Sequence, residues 1–252
     1  MLMLFRQPET MQTLFIADLH LSDHTPDLTA LCVQFLRDHA ASAAALYILG
    51  DLFEAWTGDD DDSHTAQQIA NEIKIFSQNA PVYFVAGNRD FLLGNAYASR
   101  ANMQILPEQS IISLNQKNIL ITHGDEMCTD DQAYQRFRKI IRNRWLDKIL
   151  LSLPFAWRKR IAQKMRQTSQ QRKQHAHHYA LSDVTESGVQ AAFEKYSNIN
   201  MIIHGHTHRP NIHIHQLDNH QIIRYVLPDW KNGQGGYLAV DETGFQFFRL
   251  PE

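Results

Sequence analysis

Residues Leu14–His20 read LFIADLH, a short apolar run that stops on Asp-x-His. A run of this length bounded by polar residues predicts a buried strand. Alternation along an extended chain puts Asp18 and His20 on one side, where both can reach one point. The same pattern recurs four times: Ala44–Leu49 ends in Gly50-Asp51, Val82–Ala86 in Gly87-Asn88-Arg89-Asp90, Asn118–Thr122 in His123-Gly124-Asp125, and Met201–Ile203 in His204-Gly205-His206-Thr207-His208. Between the first three runs lie helical patterns, one from Asp27 through Leu28, Leu31, Cys32, Phe35 and Leu36, the other over His64–Gln78. Strands alternating with helices predict an α/β layered fold, and parallel strands deliver their carboxyl ends to a common edge. Five polar termini of one chemical type therefore converge.

Working outward, the pattern becomes purely helical between about Asp130 and Tyr196, with Phe137, Ile140, Ile141, Trp145, Leu146 and Ile149 at three- and four-residue spacing. Strand signals return at Ile212–His215, Gln221–Val226, Tyr237–Val240 and Phe245–Arg249. The expected organisation is a body over 11–129 and 197–250, with a helical insertion over 130–196. Net charge follows the same division. Between Arg136 and Lys173 stand 13 Lys/Arg against one acid, Asp147; the rest of the chain carries the other 11 basic residues and 26 acids. The average, a net charge of -3 over 252 residues, conceals an acidic body and a basic insert. Two distant cysteines, Cys32 and Cys128, make a disulfide scaffold a poor expectation, and the opening MLMLFRQPET has no signal-peptide h-region.

The chemistry lies in the strand ends. Asp18, His20, Asp51, Asn88, His123, His204 and His206 supply seven oxygen and imidazole donors without a thiolate, which suits Mn²⁺, Fe²⁺, Zn²⁺ or Mg²⁺. Seven donors exceed what one tetrahedral ion takes and suffice for two ions sharing a carboxylate. A pair of ions about 3.5–4 Å apart suits in-line displacement at phosphorus.

The ordered set D-x-H, G-D, G-N-x-D, H-G and G-H-x-H resembles the calcineurin-like binuclear metallophosphoesterases, over nearly the whole chain outside the insert. The resemblance implies a β-sandwich of two mixed sheets flanked by helices, with the insertion as a lid. It implies further that Asp18, His20 and His206 hold one metal, that Asn88, His123 and His204 hold the other, and that Asp51 bridges them. Most of that family has His at the third position of G-N-H-D/E; here it is Arg89. Arginine does not act as a general acid, but it neutralises charge on a transferring phosphoryl group. That exchange suits a leaving group that is itself a phosphate, with a second pKa of about 6. A diphosphate substrate is expected.

The stretches LFIADLHLS, YILGDLFEAWTGDDD, FVAGNRDFLLG, THGDEMCTDDQAYQRFR, RKRIAQKMR and IHGHTHRP are similar to the diphosphatase branch serving lipid A synthesis. This similarity implies a lipid-linked UDP-sugar substrate, UDP-2,3-diacylglucosamine, and two Mn²⁺ per chain. It also implies peripheral attachment to the cytoplasmic face of the inner membrane. Asn88, Arg89 and His123 are the implied catalytic residues. Asn88, Arg89, Asp131, Ser169, Lys173 and His204 are the implied substrate contacts, Lys173 being the best match in QQRKQHAHHY; His175, His177 and His178 read as surface histidines. The insert agrees with a lipid partner, because Trp145, Leu146, Ile149, Phe155, Trp157 and Ile161 interleave with Arg142, Lys148, Arg158, Lys159 and Arg160. Basic aromatic helices of this kind bind anionic membrane surfaces, although the apolar face could instead pack on the body. Nucleic acid is not an expected partner. Other readings of the same core are a phosphodiesterase for a soluble nucleotide and a non-catalytic membrane-binding module.

Overall fold

The computed structural model describes residues 11–173, 182–196, 198–217 and 220–251, apart from the side chains of 144 and 168–173. Ser169 and Lys173 therefore lie on a described helix with undescribed side chains, and His175, His177 and His178 lie outside the described residues.

Two sheets face each other. The first has the order β11-β10-β1-β2-β3-β4, where β1 is Gln12–Ile16, β2 Ala43–Ile48, β3 Val82–Phe84, β4 Gln104–Ile105, β10 Gly235–Asp241 and β11 Gly244–Leu250. Strands β1 to β4 run parallel; β10 pairs antiparallel with β1, and β11 with β10. The second sheet has the order β5-β6-β7-β9-β8, with β5 Gln109–Leu114, β6 Lys117–Thr122, β7 Met201–His204, β8 Asn211–Leu217 and β9 His220–Val226. Its central strands β6, β7 and β9 are parallel.

The period of two in each strand decides what it covers. Phe15, Ala17, Tyr47, Leu49, Ile119, Ile121, Ile203, Tyr225 and Leu238 point inward and form the core between the sheets. Their neighbours Leu14, Ile16, Leu46, Ile48 and Phe84 point outward, under α1 (Pro26–His39), α2 (His64–Phe76) and α3 (Asn95–Ala101). Near-continuous apolar strands follow, since both faces of the first sheet are covered.

Beyond β6 come α4 (Gln132–Ile141), α5 (Arg144–Ser152), α6 (Phe155–Lys173) and α7 (Glu186–Lys195). The run from Phe137 to Ile149 is two helices, because Asn143 caps α5 by accepting the Trp145 N–H at 2.9 Å. Helix α7 belongs to the outer face of the second sheet, where Val189 and Ala192 pack with Leu120, Ile202 and Ile222. Arg158 of α6 is buried and fastens it to the body, bonding the Thr57 carbonyl and both oxygens of Asp60.

Candidate metal centre

The five polar termini meet as parallel strands require. Asp18 follows β1, Asp51 follows β2, Asn88 follows β3, His123 follows β6, and the histidine cluster follows β7. The loops are stitched by backbone bonds: Asp18 N–H to Gly50 O at 3.1 Å, His20 N–H to Asp51 O at 3.0 Å and Leu21 N–H to Leu52 O at 3.0 Å. Close approach explains two glycines. Gly50 has φ +87°, and a Cβ on Gly205 would stand 2.3 Å from Asp18 Oδ2. Among the nine described non-glycine residues with positive φ are Asp18, His20, Asp51, His206 and His208. Such conformations are rare outside glycine and concentrate at functional sites.

The donors form two adjoining groups. In the first, His20 Nε2 is 3.3 Å from His208 Nε2, which is 3.4 Å from Asp18 Oδ1. In the second, Asn88 Oδ1 is 3.0 Å from His123 Nε2 and 2.9 Å from His206 Nδ1, and those two nitrogens are 3.2 Å apart. Asp51 lies beside both, its Oδ1 3.7 Å from His123 Nε2, and its donor atom groups within 4.8 Å with those of Asp18 and His123. Nitrogens converging on one another beside buried carboxylates fit divalent cations. Asp18 Oδ1, buried and facing the His208 ring, fits the same use.

Outer partners fix the ring orientations. His123 Nδ1 is 2.9 Å from the Leu49 carbonyl, so it donates there and leaves its Nε2 lone pair on the site. His208 Nδ1 is 3.3 Å from Asp229 Oδ2, and His20 Nδ1 is 3.5 Å from Glu54 Oε2. Carboxylates behind metal-ligating histidines are the usual device for fixing tautomer and orientation. The Tyr134 ring stacks on His206 at 5.9 Å, and its hydroxyl donates to Asp125 at 2.6 Å.

His204 ends β7 and is fully buried. Its Nδ1 is 2.8 Å from the Gly205 carbonyl and its Nε2 is 3.1 Å from Arg224 Nη1. The carbonyl places the proton on Nδ1 and leaves the Nε2 lone pair toward Arg224. Burial, aided by the Arg224 charge, pushes its pKa down to about 3, so the ring is neutral.

Electrostatics follow from burying acids together. Burial and the adjacent Asp18 charge raise the Asp51 pKa. Burial works in the same direction on Asp18, but the His208 hydrogen bond and the charges of His208, His123 and His20 outweigh it and hold that carboxyl well below the usual range. Asp90 accepts the N–H groups of Gly87 and Leu52, each at 2.7 Å, and burial beside Asp51 lifts its pKa to about 7. Arg89 reaches the site edge: its N–H donates to Asp51 Oδ1 at 2.8 Å, its Nε is 4.0 Å from Asp51 Oδ2, and Nη1 donates to Glu54 at 3.0 Å. Asp131 caps α4 through the Tyr134 N–H at 2.9 Å.

Glu54, Asp229, Tyr134 and His208 are the residues sequence reading left out. Asp229 had a usable signal, because it follows β9, another parallel strand ending at the same edge.

Comparison with known proteins agrees with this geometry. The family model described as calcineurin-like phosphoesterase matches residues 11–210. A UDP-2,3-diacylglucosamine hydrolase of Serratia proteamaculans is 45% identical over 242 residues, covering 96% of this chain and 100% of the relative. One from Stenotrophomonas maltophilia (strain K279a) is 46% identical, covering 95% and 99%. A third, from Proteus mirabilis, is 43% identical over 96% of this chain and all of its own. The chain belongs to the calcineurin-like phosphoesterase family, on the branch formed by these UDP-2,3-diacylglucosamine hydrolases.

Proposed function

We propose that the chain hydrolyses the diphosphate bond of UDP-2,3-diacylglucosamine at the α-phosphate, giving UMP and 2,3-diacylglucosamine 1-phosphate (lipid X), in lipid A biosynthesis. The observation that carries this reading is a convergence of Asp and His donors in a chain that aligns end to end with hydrolases of that name. Asp18, His20 and His206 would hold one Mn²⁺, Asn88, His123 and His204 the other, and Asp51 would serve both, with His208 standing beside His20 and Asp18. Bound there, the ions would supply an activated water and neutralise charge at the phosphorus.

The chain's own groups set the rest. Water oxygen joins the α-phosphorus and the bond to the bridging oxygen breaks, with the electron pair leaving on the sugar phosphate. Arg89 would place a fixed positive charge on the diphosphate, already held beside Asp51. The leaving phosphate departs without a general acid because its second pKa is about 6. Asn88 points its amide oxygen between His123 and His206, which leaves its NH₂ to face a phosphate. Asp131 at the start of α4, and Ser169 and Lys173 on α6, are proposed to meet the head group.

Residues 130–196 would be the insertion on a core of 11–129 and 197–250, with α4 to α6 as its lipid-binding part and α7 packed on the second sheet. Its α5 and α6 leave Trp145 75% and Trp157 60% exposed among Lys and Arg, which supports peripheral attachment to the cytoplasmic face of the inner membrane. No helix among the described residues is long and apolar enough to cross a membrane. The test is UMP release by Mn²⁺-loaded protein, abolished by Asp51→Ala and by His123→Ala. Inertness of folded, metal-loaded wild-type protein toward this lipid contradicts the proposal.

A further inference from the structure

Among the described residues, Glu54 is the carboxylate that meets the metal centre, the arginine beside it and the insert together. It stands in the loop after β2, pinned by its N–H to the Leu21 carbonyl at 3.0 Å, while Trp56 N–H bonds the Arg89 carbonyl at 2.8 Å. Its side chain is only 16% exposed. One oxygen, Oε1, accepts from Arg89 Nη1 at 3.0 Å and ion-pairs with Arg166 Nε of α6 at 2.7 Å. The other, Oε2, lies 3.5 Å from His20 Nδ1, the ring nitrogen turned away from the gathered donors.

We propose that Glu54 is a positioning residue for diphosphate hydrolysis, acting through two separate groups, the His20 imidazole and the Arg89 guanidinium. Through His20, the carboxylate keeps the proton on Nδ1 and the lone pair on Nε2, aimed at His208 and Asp18. Through Arg89, it removes rotamer freedom from a long side chain before substrate arrives, so the guanidinium is in place when charge builds on the phosphoryl oxygens. The other carboxylate near the Arg89 side chain, Asp51, has its Oδ2 4.0 Å from Nε, a distance at which orientation is loose. Arg166 ties the same oxygen to the insert, so the seating of α6 on the body and the setting of Arg89 share one anchor. The geometry also explains why the carboxylate is at this position: Asp or Asn would be too short by one methylene to span from the β2 loop to both His20 and Arg89.

The inference rests on the diphosphatase reading for its kinetic arm alone. Glu54→Gln is isosteric and keeps one acceptor oxygen while losing the charge. Titration with Mn²⁺ alone, followed by the EPR signal of the free ion, should show one of the two ions bound about 10–100-fold more weakly, the usual cost of losing an outer partner of a metal ligand. At saturating Mn²⁺, kcat for UMP release should fall about tenfold with KM changed by less than about threefold, because the lost interaction acts in the transition state. In an Arg89→Ala background the same substitution should cost far less in kcat, while the weakened Mn²⁺ binding persists. Wild-type Mn²⁺ affinity in Glu54→Gln overturns the role through His20. Losses in kcat that multiply across Glu54→Gln and Arg89→Ala overturn the role through Arg89. If the wild-type protein were inert toward the lipid substrate, the functional reading would fail, and the Mn²⁺ titration would still decide for or against Glu54.

Discussion

His204 and His208 stand four residues apart in HGHTH with different neighbours, Arg224 beside the first and His20 with Asp18 beside the second. Strand alternation, applied through the whole motif, puts His204, His206 and His208 on one side. The strand stops at His204, however, and the chain turns through positive φ at His206 (67°) and His208 (55°), so the period of two no longer applies. That is why the three histidines were legible as a cluster while the place of His208 beside His20 was not. His204→Ala should lower bound Mn²⁺ from two ions per chain to one, counted by elemental analysis after gel filtration; retention of both ions would contradict the assignment. Protons compete for the same donors. Burial raises the Asp51 pKa, and the charges of Asp51, Asp18 and Asp125 raise that of His123 against the opposing effect of burial. Raised values mean these groups stay protonated to higher pH in the metal-free protein. Mn²⁺ must displace those protons, so its apparent affinity should be weaker at pH 6 than at pH 8, with proton release on binding. Equal affinity at the two pH values would contradict it.

At the scale of elements, the strands were the most legible part, because each is a local apolar run whose polar terminus sits next to it in sequence. Glu54 and Asp229 were not legible, since their roles depend on which loops a sheet order brings together: β1 beside β2, and β7 beside β9. The basic run of the insert was only half legible. A count of charges cannot separate Arg138 and Arg158, which turn inward onto Asp125 and Asp60, from the cations left for an anionic surface. Apolar exposure separates them better. Ile149 and the two tryptophans of α5 and α6 lie open, Ile149 by 60%. Trp145→Glu with Trp157→Glu should weaken co-sedimentation with phosphatidylglycerol vesicles by about tenfold or more, each change costing on the order of 1 kcal/mol. Undiminished co-sedimentation would show that α5 and α6 are not the attachment surface.

For the whole molecule, the sandwich is what makes one site out of five motifs. Each sheet is internally parallel where it carries a motif, β1 to β3 in one and β6 with β7 in the other. The core between them, from Phe15 and Tyr47 to Ile121 and Ile203, holds the two motif-bearing edges side by side. An acidic body can then keep cations where two carboxylates are buried, and a basic insert can face a lipid whose own charge is negative. If this edge directs water to the α-phosphorus of a lipid-linked UDP-sugar, hydrolysis of UDP-2,3-diacylglucosamine by the Mn²⁺-loaded protein in ¹⁸O-water puts the label on one product. Mass spectrometry should find one ¹⁸O in UMP and none in the sugar 1-phosphate. Label in the sugar phosphate, or no UMP at all, would contradict it.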